Sequence, residues 1–236
     1  MKKKIALHWF RYDLRIFDNP SLNYLSNKYE NIVGVYIFDD INSDPKLGSA
    51  SKVWLNQSLE YLNNQLNGNL IILKGNPKEC LERIINFFNV QEISWNRCYE
   101  PWMIKRDKKL KTFLTEKVKT QSFNGSLLWE PWEILKNDGT PYKVYTPFFK
   151  RGCLSASKPR LPKSEKINFF KHNFSSMNIS DLELLESKKW ESEILTEWKV
   201  GESSSIEIMR SFFENGIQDY SEGRNFPIKK NVSRLS

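Results

Sequence analysis

No apolar run in the 236 residues is long enough to cross a membrane, so a spanning helix is not expected. The start, Met1-Lys2-Lys3-Lys4, is basic, but the apolar stretch after it is short and broken by His8 and Arg11. It reads as a strand and its exit loop rather than a signal peptide. Cysteine is scarce: Cys80, Cys98 and Cys153 stand far apart with no paired spacing. That argues against a disulfide framework or a zinc site and fits a reducing cytoplasm. The only histidines, His8 and His172, lack partners at metal or general-base spacing, and no metal site is expected. Neither Gly-x-Gly-x-x-Gly nor a Walker loop occurs, which disfavours ordinary dinucleotide and ATP enzymes. There is no internal repeat and no low-complexity tract.

What is present suffices for a core. The hydrophobic fraction is 39% and the aromatic fraction 14%, which excludes global disorder. Lysine and arginine exceed aspartate and glutamate by 36 to 28, a net +8. An excess of that size attracts polyanions at long range; the other reading is a lysine-rich, solvated surface.

Five short apolar or β-branched runs alternate with helical patterns. The runs are 5–10, 32–38, 70–73, 92–95 and 122–129. The first two are nearly continuous in apolar residues, as in strands buried on both faces of a parallel sheet. Between them, 51–66 places Val53, Leu55, Leu59, Leu62 and Leu66 at helical spacing. The segments 77–88 and 101–118 each open with proline, which suits a first helical turn. Asp18-Asn19-Pro20 reads as the cap of an earlier helix. The expected fold is therefore α/β: a doubly wound, five-stranded, parallel, Rossmann-like sheet over residues 1–130. Asp138-Gly139-Thr140-Pro141 marks a turn, and 131–200 reads as a long connector draped over the first domain, with a short helix near 148–154. From Glu202 an amphipathic pattern returns with Ile206, Met209, Phe212, Phe213, Ile217 and Tyr220, opening a second unit over 201–236.

Arg11, Asp13 and Arg15 follow the first strand and so lie at the carboxyl edge of the sheet, where open α/β sheets bind ligands. Two readings stand side by side: ion pairs that tie this loop to a helix, or direct ligand contact.

Five stretches carry a resemblance. They are Trp9-Phe10-Arg11-Tyr12-Asp13-Leu14-Arg15 with Asp18-Asn19; Ser51-Lys52-Val53-Trp54-Leu55; and Trp95-Asn96-Arg97-Cys98-Tyr99-Glu100-Pro101. Tyr142-Lys143-Val144-Tyr145-Thr146-Pro147-Phe148 follows. The fifth comprises Gly201-Glu202 through Tyr220, Arg224-Asn225-Phe226-Pro227 and Ser233-Arg234-Leu235-Ser236. In this order and spacing the chain resembles the DNA photolyase/cryptochrome family.

The resemblance implies an antenna-chromophore domain, with folate or deazaflavin at its edge, followed by the start of a helical FAD-binding domain. Where folate-binding members carry asparagine and glutamate, this chain has Trp102 and Met103, which offer neither amide nor carboxylate. Trp102 is read either as stacking on a planar chromophore or as packed against the sheet. The family's Thr-Ser-Arg-Leu-Ser loop holds the flavin pyrophosphate, because phosphates seek backbone N–H groups, hydroxyls and a cation. Its counterpart here is Val232, Ser233, Arg234, Leu235 and Ser236, with Val232 in place of the threonine. Tyr220 matches a tyrosine beside the flavin, and Arg224 a residue that touches DNA phosphate. The isoalloxazine pocket and tryptophan relay of the family lie beyond this length, so no catalytic residue is expected in this chain. The implied function is the N-terminal part of a light-driven, FAD-dependent photolyase repairing cyclobutane pyrimidine dimers in UV-damaged DNA. That part is expected to be inactive alone, with a C-terminal half or a second chain to complete it. The alternatives are a cryptochrome-type blue-light receptor and a stand-alone antenna or interaction domain.

Overall fold

The strand Ile5–Phe10 (β1) is buried at every position, and it is the middle strand of a five-stranded sheet. The structure, a computed structural model, describes residues 4–42 and 46–229. After β1 come α1 (Pro20–Ser26), β2 (Asn31–Phe38), α2 (Ser49–Gln65), β3 (Leu70–Lys74) and α3 (Pro77–Phe88). Then follow β4 (Glu92–Asn96), α4 (Pro101–Thr115) and β5 (Lys119–Phe123). Strand order is β3-β2-β1-β4-β5 and all pairs are parallel. Leu7 stands opposite both Val33 and Ile93. The order reverses between β1 and β4, which makes their carboxyl ends the switch point of the sheet.

The two faces divide by residue parity. Leu7, Trp9, Val33, Val35, Ile71, Ile93 and Trp95 share one core with Leu81, Ile84 and Ile85 of α3 and Leu110 and Leu114 of α4. On the other face, His8 and Ser94 meet Ser21 of α1. Helix starts follow their sequence signals. Asn19 caps α1 by accepting from the Leu22 N–H at 3.2 Å, and Asn76 caps α3 through Lys78 N–H at 3.0 Å. Proline occupies the first turn of α1, α3 and α4.

The fifth strand lies earlier than the apolar pattern suggests. Asn124 Oδ1 takes the N–H groups of Ser126 and Leu127 at 3.2 and 2.9 Å, turning the chain and ending the strand. Leu128 is then 69% exposed. As an edge strand, β5 carries Lys119, Thr120 and Gln121 rather than a run of apolar residues.

The short helix expected near 148–154 is three brief pieces: α5 (Tyr145–Pro147), a π turn over Phe148–Gly152 and a 3-10 turn over Cys153–Ser155. Further on, residues 168–177 run against the sheet. Asn168 and Phe170 bond Ile32 at the start of β2, and Met177 bonds the Ile72 carbonyl of β3 at 2.9 Å. Phe170 and Phe174 pack on the core.

Among the described residues, 4–42, 46 and 69–177 form one compact unit, and 47–68 with 178–229 form another. In the second, α2 is joined by a 3-10 turn (Ile179–Leu182), α6 (Lys189–Glu197), α7 (Glu202–Asn215) and α8 (Tyr220–Gly223). Helix α6 lies in the stretch read as a connector; its N-terminal turn is held by Glu191, whose carboxylate accepts from the N–H groups of Glu186 and Lys188 at 2.7 and 3.0 Å. Helix α7 begins at Glu202 as expected, with Ile208, Met209 and Phe213 exposed. No helix among the described residues is long and apolar enough to cross a membrane.

Candidate functional site

The switch point is filled by a knot of side chains from β1, β4, α4 and their loops. Arg11 is 5% exposed; its guanidinium donates to the Asp107 carboxylate and to the Asn96 carbonyl. Its carbon lies 5.0 Å from the centre of the Trp9 ring. Arg106 completes a second layer. It donates to Asp39 at 2.9 Å and to Asp107 at 2.9 and 3.0 Å, between the rings of Trp9 and Trp102, each 5.1 Å away. Arginine suits this place, since its flat fork makes several directed bonds while its faces lie on indoles.

Asp13 sits inside this knot. It accepts from the Arg11 N–H at 3.1 Å, from Asn96 Nδ2 at 2.5 Å and from Asn19 Nδ2 at 3.4 Å. Burial pushes its carboxyl above the usual range, against the pull of the Asn96 bond and the Arg11 charge. Arg15 donates to the carbonyls of Gly125 at 2.6 Å, Asp18 at 2.9 Å and Phe17 at 3.2 Å. The three residues after β1 therefore serve as ties, the first of their two readings. Arg11 joins the loop to α4, Asp13 joins it to β4, and Arg15 joins it to the turn after β5.

A second tie lies at the outer edge of the sheet. Arg97 and the Tyr99 hydroxyl (2.7 Å) both donate to Glu130, and Arg97 also reaches the Ser122 carbonyl at 2.5 Å. Burial and the Glu130 bond raise the Tyr99 phenol well above its ordinary value. On the other face of the sheet, His8 is fully buried and bonds Ser21 Oγ at 2.9 Å through Nδ1. Burial, with the charges of Arg11 and Arg15, lowers its pKa to about 3, so the ring is neutral. The three cysteines are free thiols.

At the other end of the chain, Tyr220 opens α8 and meets Phe212 edge-on, ring centres 5.4 Å apart. The Arg224 guanidinium lies 5.8 Å from the Tyr220 ring and is exposed. The expected phosphate loop, Val232, Ser233, Arg234, Leu235 and Ser236, lies outside the described residues.

The DNA photolyase family model matches residues 6–165. The chain belongs to the DNA photolyase family. A photolyase (deoxyribodipyrimidine photo-lyase) of Agrobacterium fabrum is 32% identical across all of this chain, which spans 50% of that protein. Cryptochrome-2 of Arabidopsis thaliana is 30% identical, with all of this chain and 40% of the relative covered. The crystal structure of a bacterial class III photolyase from Agrobacterium tumefaciens superposes with a TM-score of 0.92 at 31% identity, over 100% of this chain and 50% of that one. The chain thus spans about half the length of the photolyases it matches.

Within this photolyase fold, several residues of the knot carried no signal of their own in the sequence. Asn96, Arg97 and Tyr99 stand inside one of the five stretches, whereas Arg106 and Asp107 lie in none of them. Nothing along the chain pairs Asp107 with Arg11, 96 positions earlier.

Proposed function

We propose that this chain is the N-terminal part of a light-driven, FAD-dependent DNA photolyase acting on cyclobutane pyrimidine dimers. What supports the reading is the family match along the whole chain, joined to Arg224 beside Tyr220. Residues 201–236 open the flavin-binding helical domain, and 1–130 form the antenna-type domain.

Tyr220 offers a flavin a ring wall packed edge-on against Phe212, and Arg224, with no carboxylate partner among the described residues, is left for a DNA phosphate. Tyr220, Ser233, Arg234 and Ser236 would hold the flavin, with Val232 and Leu235 contributing backbone N–H groups. When bound, the flavin supplies light-driven one-electron transfer, the chemistry that opens a cyclobutane ring. Arg224 holds a DNA phosphate and so positions the strand carrying the flipped lesion. The knot at the switch point makes the first domain a rigid platform for the loops on that edge.

For an antenna, the resemblance offers folate or deazaflavin. Trp102 and Met103 do not fit the folate mode that needs an amide and a carboxylate: Met103 is buried and Trp102 faces Arg106.

A cryptochrome-type receptor is the second reading, favoured by the 30% identity to an Arabidopsis cryptochrome. A repair assay separates the two. The chain is combined with its helical half, on one polypeptide or two, and given an oligonucleotide holding one thymine dimer. Loss of the dimer under blue light, and none in the dark, is the photolyase result. Flavin reduction in light with the dimer intact is the receptor result, and it overturns the repair reading.

A further inference from the structure

The outer face of α4 is a lysine surface whose only acid among the described residues is Glu116, at the C-terminal end of the helix. Between residues 101 and 123 seven basic residues face two acids, so this segment alone carries +5. Lys105, Lys108, Lys109 and Lys111 fall within seven positions and are all exposed. None makes an ion pair among the described residues. The one acid inside the helix, Asp107, is turned inward and taken by Arg11 and Arg106. Lys105 and Lys109 stand four apart, a like-charge spacing that weakens a helix. Elsewhere the chain uses that spacing for an opposite pair, Lys189 with Glu193. The face is shallowly concave: Lys108, Lys111, Thr112, Thr115 and Glu116 line an open depression of about 690 Å³.

We propose that this face of α4 docks the phosphate backbone of nucleic acid, a contact that uses neither Arg224 nor flavin. Four lysines on two turns supply point charges for phosphates without reading bases. A polyanion there relieves the repulsion that the helix otherwise carries. The proposal does not rest on the repair reading, because the chain alone suffices to test it.

The experiment is fluorescence anisotropy of the 236-residue chain with an undamaged duplex, titrated from 50 to 200 mM salt. The test variant is K105Q/K108Q/K109Q/K111Q; glutamine is nearly as good a helix former as lysine, and a thermal melt verifies folding. The control is K143Q/K150Q/K158Q/K166Q, with the same change in charge. Each phosphate contact adds about 0.9 to the log–log salt slope. The slope of the α4 variant should therefore fall by about 3 to 4, and its affinity at 50 mM should drop by more than roughly 100-fold, with a much smaller loss in the control. Equal losses in the two variants would mean that net charge, not this face, does the binding, and would overturn the proposal. So would an unchanged slope, or no binding by the wild-type chain at 50 mM salt.

Discussion

Asn96 Nδ2 donates to Asp13 at 2.5 Å and to Asn19 at 2.8 Å, while Asn96 Oδ1 accepts the Ser21 N–H at 3.2 Å. One amide at the end of β4 thus joins the loop after β1 to the cap of α1, at the point where strand order reverses. A carboxamide is the group for this task, since it donates and accepts from one planar head. The turn after β5 presses on it from outside: a Cβ at Gly125 would lie 2.5 Å from Asn96 Cγ.

Replacing Asn96 by alanine should cost about 1–3 kcal/mol, the penalty for leaving buried polar partners unsatisfied. Asp13 would lose its shortest donor and its pKa would climb further. Urea denaturation measures the first effect. A variant with an unchanged midpoint would show that the amide is not a hub.

The Arg11–Asp107 pair should prove asymmetric. In R11M, Asp107 keeps Arg106; in D107N, the buried Arg11 loses the one carboxylate that its guanidinium bonds among the described residues. D107N should therefore be the more damaging, at about 3 kcal/mol. The double variant should cost less than the sum by about 1–3 kcal/mol. Strict additivity would contradict the coupling.

His8 predicts an acid-sensitive fold. Its folded pKa is about 3, whereas an unfolded histidine titrates near 6.5. Between these values the unfolded chain holds a proton that the folded chain does not. Its contribution is complete above about pH 6.5 and falls by about 1.4 kcal/mol per pH unit as the solution is acidified. From pH 7.5 to 5.0, wild type should lose about 2 kcal/mol more than H8Q. Equal losses in urea midpoints would show that His8 is not held neutral.

Much of this fold was legible because its strands are buried on both faces. Val33, Val35 and Ile37 announce β2 without help from their neighbours, and Pro77 and Pro101 mark helix starts. The edge strand β5 was legible only in part, since one of its neighbours is missing and its residues need not be apolar. Helix α6 has no such signal, because its start is held by Glu191 rather than by an apolar stripe. Arg11, Asp13 and Arg15 could be placed at the carboxyl edge from their position after β1. That they are ties rather than ligand contacts depended on Asp107, Asn96 and Gly125, which are distant in the chain.

Gly201 should tolerate no side chain. Its φ is +115°, and a Cβ there would lie 2.5 Å from the Tyr61 ring, whose hydroxyl accepts the Ser203 N–H at 3.1 Å. G201A should destabilise the start of α7 by about 1–3 kcal/mol, seen as faster proteolysis after about residue 198. Y61F removes only the acceptor and should cost about 1 kcal/mol. Identical cleavage of G201A and wild type would remove this constraint.

FAD occupancy tests the central claim most directly. It is measured by absorbance at 450 nm after purification, with the helical half present and with the chain alone. The account predicts stoichiometric flavin only when that half is present, loss of most of it in R234A, and full retention in R224A with weakened DNA binding. Flavin retained unchanged in R234A, or bound tightly by the isolated chain, would contradict it.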